Sequence, residues 1–211
     1  FYPNYNTMVR TCGASITPIP TCPEEGYHYA EREKIEPPIN EHTRAIMVTN
    51  PGNPTGVVLT DDKMKMLVDL AKKHDLFLIG DEAYREFVYG GEPLQSFGSF
   101  AEEAPENIVV IDTVSKRFSA CGARIGCLIT KNKELLGHAL KYCQSRLSVA
   151  TLDQVASAHL YTCLLYTSST PSARSISPPC ATSTRSAVTR SCASCARSPA
   201  SSSTARRARS T

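Results

Sequence analysis

The chain has 211 residues, long enough for one or two domains, and 41% of them are hydrophobic. Its net charge of +3 is unevenly placed, because residues 163–211 contain seven of the 23 basic residues and none of the 20 acidic ones. Residues 1–162 therefore carry 16 basic against 20 acidic residues, a net charge of −4 that gives no reason to expect binding to nucleic acid.

Cysteine, histidine and hydropathy patterns limit the class of protein further. The nine cysteines are odd in number and follow no framework spacing, which favours a reducing compartment such as the cytoplasm. The CxxC pair of Cys192 and Cys195 stands alone, and the five histidines have no metal-ligand spacing, so we predict no metal site. No apolar run reaches the roughly 18 residues that span a bilayer, so we expect no membrane partner.

Taken in chain order, the elements alternate between strands and helices. The branched, apolar run of residues 44–50 ends in the turn sequence "PGNPTG" and predicts a buried strand. Helical spacing of apolar residues over 60–75 predicts a helix, with Thr60 as its N-cap. Apolar runs predict three more strands, over 76–84, 107–113 and 124–130. A final helical pattern covers residues 132–147. This alternation indicates an α/β sheet covered on both faces.

Three chemically different polar residues lie just beyond apolar strands. Asn53, Asp81 and Lys116 each follow the end of one predicted strand. Open α/β sheets bind ligands outside the carboxyl ends of their strands. We therefore predict that these residues share a binding site.

The motifs around these residues occur in a familiar order. The sequence "NPGNPTG … DEAYREF … TVSKRFSACGARIG" resembles the pyridoxal-phosphate (PLP) aminotransferases of fold type I, class I/II, over residues 1–161. The resemblance implies part of the PLP-binding large domain, a three-layer α/β/α fold with a mostly parallel sheet. It also implies amino-group exchange between an amino acid and a 2-oxo acid, PLP as cofactor, and a homodimer when the protein is whole.

The same resemblance assigns catalytic roles to three residues. Lys116 is expected to hold PLP as a Schiff base and to move the proton at the substrate α-carbon. Asp81 is expected to pair with the pyridine nitrogen and keep it protonated. Tyr84, together with Asn53, is expected to hydrogen-bond the phenolic oxygen of the cofactor.

Further residues are implied to bind the cofactor. Thr113, Ser115 and Arg124 match the family's phosphate-binding positions, with Arg124 eight residues after the lysine. The opening segment "FYPNYN" resembles the family segment whose aromatic residue stacks on the cofactor ring. On that match the stacking residue is Tyr2, and Tyr5 is the nearby alternative.

Other residues near these motifs have a structural interpretation. We expect Asn50, Glu82 and Arg117 to be turn and structural residues. By the resemblance, the peptide bond between Asn53 and Pro54 is expected to be cis.

Parts of the family pattern are missing from the sequence. The glycine-containing phosphate loop and the small domain with its carboxylate-binding arginine have no counterpart here, so we expect the chain alone to have no useful turnover. Two alternatives share the same cofactor residues. One is another fold-type-I enzyme such as a carbon–sulfur lyase, and the other is the aminotransferase-like sensing domain of a transcription regulator.

Composition divides the chain into residues 1–162, a partial PLP-binding domain, and 163–211, a Ser/Arg/Ala-rich tail. The tail cannot bury a core and is predicted to be disordered. Its start, "CLLYTS", resembles a translated transposase end used in sequencing libraries. A shifted codon frame can give an amphipathic helix followed by a strand in the remainder. Our hypothesis is that the tail is frame-shifted.

Overall fold

Four strands, six α-helices and three short 3₁₀ helices lie in the part of the chain that the computed structural model describes, residues 2–89 and 94–168. The elements up to residue 160 belong to one compact unit. The strands are β1 (Ala45–Thr49), β2 (Phe77–Asp81), β3 (Ile108–Thr113) and β4 (Gly126–Thr130). The helices are α1 (Asn4–Thr11), α2 (Arg32–Ile35), α3 (Asp61–Lys73), α4 (Val114–Arg117), α5 (Lys133–Ser145) and α6 (Thr151–Ser168). All four predicted strands and both predicted helices are therefore present.

The strands form one mixed sheet in the order β1-β2-β3-β4. β1 and β2 pair in parallel, as do β2 and β3, whereas β4 runs antiparallel to β3. The prediction of a mostly parallel sheet is confirmed. Because β4 is reversed, its first residues lie at the same edge of the sheet as the last residues of the other three strands.

Helix α3 shows how the sequence determines a local element. Its first turn carries Asp61 and Asp62 and its last turn Lys72 and Lys73, which complements the helix dipole. Thr60 occupies the N-cap in an extended conformation, but its side chain makes no capping hydrogen bond. The buried face consists of residues at helical spacing, namely Met64, Leu67, Val68, Leu70 and Ala71.

The core lies between α3 and one face of the sheet. Val48, Leu78 and Val110 project from three neighbouring strands into this cluster, together with the fully buried Phe97. Gly80 leaves the space that Phe97 occupies, since a Cβ atom there would lie 2.6 Å from the Phe97 ring. The tight fit explains why a glycine interrupts an otherwise apolar strand.

The opposite face is covered less completely among the described residues. Met47 of β1 and Leu128 of β4 point to this side and are 37% and 38% exposed. Helix α5 follows β4 but buries none of its side chains. Val109 of β3 is nevertheless buried on this face, so both faces are covered, the second less completely, as expected for an incomplete three-layer domain.

Two peptide bonds are cis, Asn50–Pro51 and the predicted Asn53–Pro54. Helix α6 continues to Ser168, past the boundary that composition predicts at residue 163. The remaining tail, with Cys192 and Cys195, lies outside the described residues. Within the described ranges, no helix is both long enough and apolar enough to cross a membrane.

Candidate active site

The predicted site residues meet at the edge of the sheet where β1, β2 and β3 end. Thr49 and Asp81 are paired across β1 and β2, and Asp81 lies opposite Ile111 of β3. Thr113 ends β3 and lies opposite Gly126, the first residue of β4. The parallel register thus places the D-E-A-Y turn and the lysine segment next to each other.

The carboxylate of Asp81 is held at both oxygens. Its Oδ1 atom accepts a hydrogen bond of 3.0 Å from the backbone N–H of Ala83. Its Oδ2 atom accepts a hydrogen bond from the hydroxyl of Tyr5, which also lies 3.0 Å from Oγ1 of Thr49. Burial, followed by the bond to Asp81, raises the pKa of Tyr5, so the phenol stays protonated and acts as a donor.

Tyr5, named from the sequence only as the alternative stacking residue, makes a different contact, a hydrogen bond to Asp81. Tyr2, the predicted stacking residue, is 38% exposed and its ring meets the Tyr5 ring edge-on at 5.6 Å between centroids. The contact with Asp81 comes from Tyr5, which lies on the buried side of α1. The stacking role of Tyr2 stays a prediction.

Lys116, Tyr84 and Asn53 form a second group at the same edge. The Asn53 side-chain amide donates to the Tyr84 hydroxyl at 3.4 Å. The Lys116 ammonium group lies 5.8 Å from the centroid of the Tyr84 ring. It also lies 3.9 Å from the sulfur of Cys121. Three residues from three separate motifs are thus within reach of one small molecule.

The lysine segment is shaped by hydroxyl groups. Thr113 caps the single turn of α4, its hydroxyl accepting from the Ser115 N–H at 3.1 Å. The same hydroxyl donates to the Ile125 carbonyl at 2.8 Å, which joins the turn to the start of β4. Ser115 is adjacent, with its hydroxyl 2.9 Å from that of Thr113. These hydrogen bonds therefore connect the segment that precedes Lys116 to the segment that follows it.

Arg124 belongs to the same loop. It has a left-handed backbone with φ of 56° and donates from Nη1 to the Cys121 carbonyl at 3.0 Å. The Cys121 thiol in turn donates to the Ser115 carbonyl at 3.1 Å. These contacts bring Arg124 to the side of the loop that carries Ser115, and its side chain remains exposed to solvent.

Comparison with known proteins identifies the family. The family model "Aminotransferase class I and II" matches residues 1–176. The chain belongs to the class I and II aminotransferases.

Relatives of this aminotransferase chain agree with the assignment. It is 32% identical over 162 residues to the aspartate/prephenate aminotransferase of Thermus thermophilus, covering 77% of this chain and 41% of the relative. It is 35% identical over 103 residues to the aspartate aminotransferase of Bacillus subtilis, covering 49% and 26%. The chain thus spans well under half the length of these curated relatives.

Solved structures show the same fold. The aspartate aminotransferase of Thermus thermophilus with maleate superimposes with a TM-score of 0.67 at 31% identity, over 74% of this chain and 40% of that one. The aromatic aminotransferase of Pyrococcus horikoshii gives a TM-score of 0.69 at 26% identity, over 75% and 42%. The predicted fold class is confirmed.

The donor set of this site fits PLP, the cofactor on which the family depends. Lys116 would supply an amine for the aldehyde, and Asp81 a carboxylate for a protonated ring nitrogen. Tyr84 would supply a phenol for the ring oxygen. Thr113, Ser115 and Arg124 would supply hydroxyl and guanidinium groups for a phosphate. Among the described residues no cluster of His, Cys, Asp or Glu could hold a metal ion.

The sequence did not reveal two contacts of this site. Tyr5 reaches Asp81 across 76 positions of sequence, and only its place in the "FYPNYN" segment pointed to it. Cys121 reaches Lys116 because a 3₁₀ turn at Cys121–Ala123 folds the loop back. No local pattern of residues predicts that return.

Proposed function

We propose that this chain carries the cofactor-binding part of a PLP-dependent aminotransferase. The reaction is the transfer of an amino group between an amino acid and a 2-oxo acid. The observation that carries the proposal is the meeting of Lys116, Tyr84 and Asp81 at one sheet edge in a chain of this family. The carbon–sulfur lyase and the regulator domain are not favoured, since the relatives reported above are named aminotransferases.

Lys116 is the residue we assign to the chemistry. Its amine would hold the cofactor through the cofactor aldehyde, and when released it would move the proton between the substrate α-carbon and the cofactor. The bound cofactor supplies an electron sink for the α-carbon. The Lys116 ammonium group lies 5.8 Å from the centroid of the Tyr84 ring and 3.9 Å from the Cys121 sulfur, which places it beside the other site residues.

Asp81 stabilises a positive charge on the ring nitrogen. Tyr5 and the Ala83 N–H each bind one of its oxygens, which fixes the plane of the carboxylate. A fixed carboxylate needs little reorganisation when the ring becomes protonated. Tyr5 is thereby a positioning residue for Asp81 in this proposal.

The remaining residues bind and orient the cofactor. Tyr84, supported by Asn53, donates to the ring oxygen, and Tyr2 covers the ring face. Thr113, Ser115 and the exposed guanidinium of Arg124 bind the phosphate. These roles are residue-by-residue proposals from the family match and the contacts described above.

We further propose the context of the intact protein. It is a cytoplasmic homodimer, with residues 1–162 in the PLP-binding domain. Several large apolar side chains of α5 and α6 are exposed, as expected for surfaces that other parts of such a protein cover. They are Leu136, Leu140, Leu152 and Val155.

Residues 163–211 are proposed to be a frame-shifted remnant. DNA that encodes them in one uninterrupted frame contradicts this, and a shift near codon 163 supports it.

The activity is tested by a half-reaction. PLP-loaded protein is mixed with single amino acids, starting with aspartate and phenylalanine because relatives act on aspartate and aromatic amino acids by name. The proposal expects pyridoxamine phosphate and a 2-oxo acid in equal amounts, from the intact gene product and not from its Lys116→Ala variant. Release of ammonia without pyridoxamine phosphate would favour a lyase instead.

A further inference from the structure

Asp112 and Arg117 flank the lysine and form a buried ion pair. Asp112 is 5% exposed and precedes Thr113 at the end of β3. Its Oδ2 atom lies 2.7 Å from Nη2 of Arg117, whose side chain is only 10% exposed. Its Oδ1 atom accepts from the Thr113 N–H at 2.7 Å. One carboxylate therefore contacts both the residue that caps the lysine turn and the residue that ends it.

Arg117 also reaches the neighbouring catalytic loop. Its Nε atom lies 3.3 Å from Oε1 of Glu86, in the "DEAYREF" motif. Glu86 is 3.9 Å from Arg85, and Arg85 is 3.6 Å from the buried Glu82. Five charges thus run without a break from the end of β3 to the end of β2.

This chain of charges joins the segments that carry the predicted site residues. Glu82 is itself anchored by the Ser96 hydroxyl and the Phe97 N–H, both at 2.8 Å. The D-E-A-Y turn is therefore fixed to the core, and Arg117 connects the lysine turn to it. An arginine fork can contact two carboxylates at once, whereas a lysine ammonium on a flexible stem has no such fork.

We propose that Arg117 is a positioning residue that sets the place of Lys116 relative to Asp81 and Tyr84, by bridging Asp112 and Glu86. The inference rests on the proposed role of Lys116 and assigns a function to a residue expected to be only structural. Because Asp112 is buried, removal of the Arg117 charge would leave its carboxylate without a paired charge away from water, which is costly.

Three variants separate bridging from simple neutralisation of Asp112. Arg117→Met removes both pairs, Arg117→Lys keeps a charge for Asp112, and Glu86→Gln removes only the outer partner. Glu102→Gln is the matched control, since it removes an exposed partner of Lys131 outside this network. Glu86 is more than half exposed, so Glu86→Gln is not expected to prevent folding.

Two quantities are measured on the full chain. The first is hydrogen exchange of the amides of residues 114–118 without cofactor, and the second is the rate of borohydride trapping of PLP on Lys116 at saturating PLP. We expect trapping to slow by about 10- to 100-fold in Arg117→Met. We expect a slowing of about two- to fivefold in both Arg117→Lys and Glu86→Gln, with faster exchange and an unchanged urea midpoint in Glu86→Gln.

The outcomes distinguish this inference from the proposed function. Wild-type exchange and trapping in both Arg117→Lys and Glu86→Gln overturn the bridge, because Asp112 would then need only a nearby charge. If wild-type protein takes up no PLP while exchange at residues 114–118 rises in Glu86→Gln, the bridge stands and the proposed cofactor role fails.

Discussion

The hydroxyl of Tyr5 donates a hydrogen bond to Asp81, joining the first helix to the end of the second strand. This contact binds Oδ2 of Asp81, while the backbone N–H of Ala83 binds Oδ1. Tyr5 is 7% exposed, so the contact is shielded from water.

Removing this hydroxyl tests its importance. We expect Tyr5→Phe to lower the free energy of unfolding by about 1–3 kcal/mol, because a carboxylate loses a donor in a partly buried place. PLP affinity should fall as well, since Asp81 loses its fixed orientation. Urea unfolding and a fluorescence titration with PLP measure the two effects. Tyr2→Phe is the control, because the Tyr2 hydroxyl accepts a hydrogen bond from the exposed side chain of Asn4. Equal losses in both variants would contradict a special role for the Tyr5 hydroxyl.

Asp81 itself is tested by a change of charge without a change of shape. Asp81→Asn can still accept from Ala83 but cannot balance a protonated ring nitrogen. We expect PLP affinity to fall by about 10- to 100-fold, the range of a charge-assisted hydrogen bond. Pyridoxyl labelling of Lys116 should persist at high PLP concentration. The exposed Asp69→Asn on α3 is the control, and an affinity for Asp81→Asn equal to that of the control would refute the assignment.

Burial of Glu82 determines the direction in which the stability of the folded protein changes with pH. Burial raises the pKa of Glu82 above its ordinary value of 4.5, although the bonds from Ser96 and Phe97 oppose the shift. The folded protein then binds the proton more tightly than the unfolded chain. Its stability therefore falls as pH rises from 4.5 through the raised pKa, and levels off above it.

A Glu82→Gln variant lacks this titration. The free energy of unfolding of the wild type minus that of Glu82→Gln should decrease as pH rises from 4.5 towards neutrality. Urea unfolding at a series of pH values measures the difference, in which the other titrating groups cancel. A difference that stays constant, or increases with pH, is the result that this explanation does not allow.

Alanine substitutions at two glycines are expected to change the stability of the fold in opposite directions. At Gly80 an added Cβ meets the buried Phe97 ring at 2.6 Å, so Gly80→Ala should destabilise the fold by about 1–3 kcal/mol. At Gly137, within α5, an added Cβ meets nothing within 4 Å. Gly137→Ala should stabilise by about 0.5–1 kcal/mol through helix propensity. Thermal unfolding of both variants decides, and a stabilising Gly80→Ala would show that the core is packed differently.

The elements of the sheet could be predicted because their signals are local. Runs such as "IVVIDT" are apolar and branched, and α3 repeats its buried residues at helical spacing. The reversed direction of β4 could not be predicted from the sequence, since the pairing direction depends on how the twelve residues between Thr113 and Gly126 fold. Here a single helical turn and a 3₁₀ turn replace the long crossover that a parallel strand needs.

The site was predictable to the extent that its residues follow strand ends. Asp81 ends β2, Lys116 closely follows β3, and these two strands pair in parallel. Their motifs were therefore sufficient to predict that both residues lie at the same edge of the sheet. Tyr5 and Glu86 were not predictable as partners, because their contacts join segments that are distant in the sequence and depend on tertiary packing. Arg117 was expected to be structural, and its ion pairs with Asp112 and Glu86, which no local pattern predicts, are the basis for proposing more.

We propose that Lys116 is the residue that binds PLP, and a single labelling experiment tests this assignment. The full chain is incubated with PLP, reduced with borohydride and digested. The resulting peptides are then analysed by mass spectrometry. We expect a pyridoxyl group on the peptide containing Lys116, retained in Lys131→Ala and lost in Lys116→Ala. Labelling spread over other lysines to the same extent in Lys116→Ala as in the wild type would contradict it.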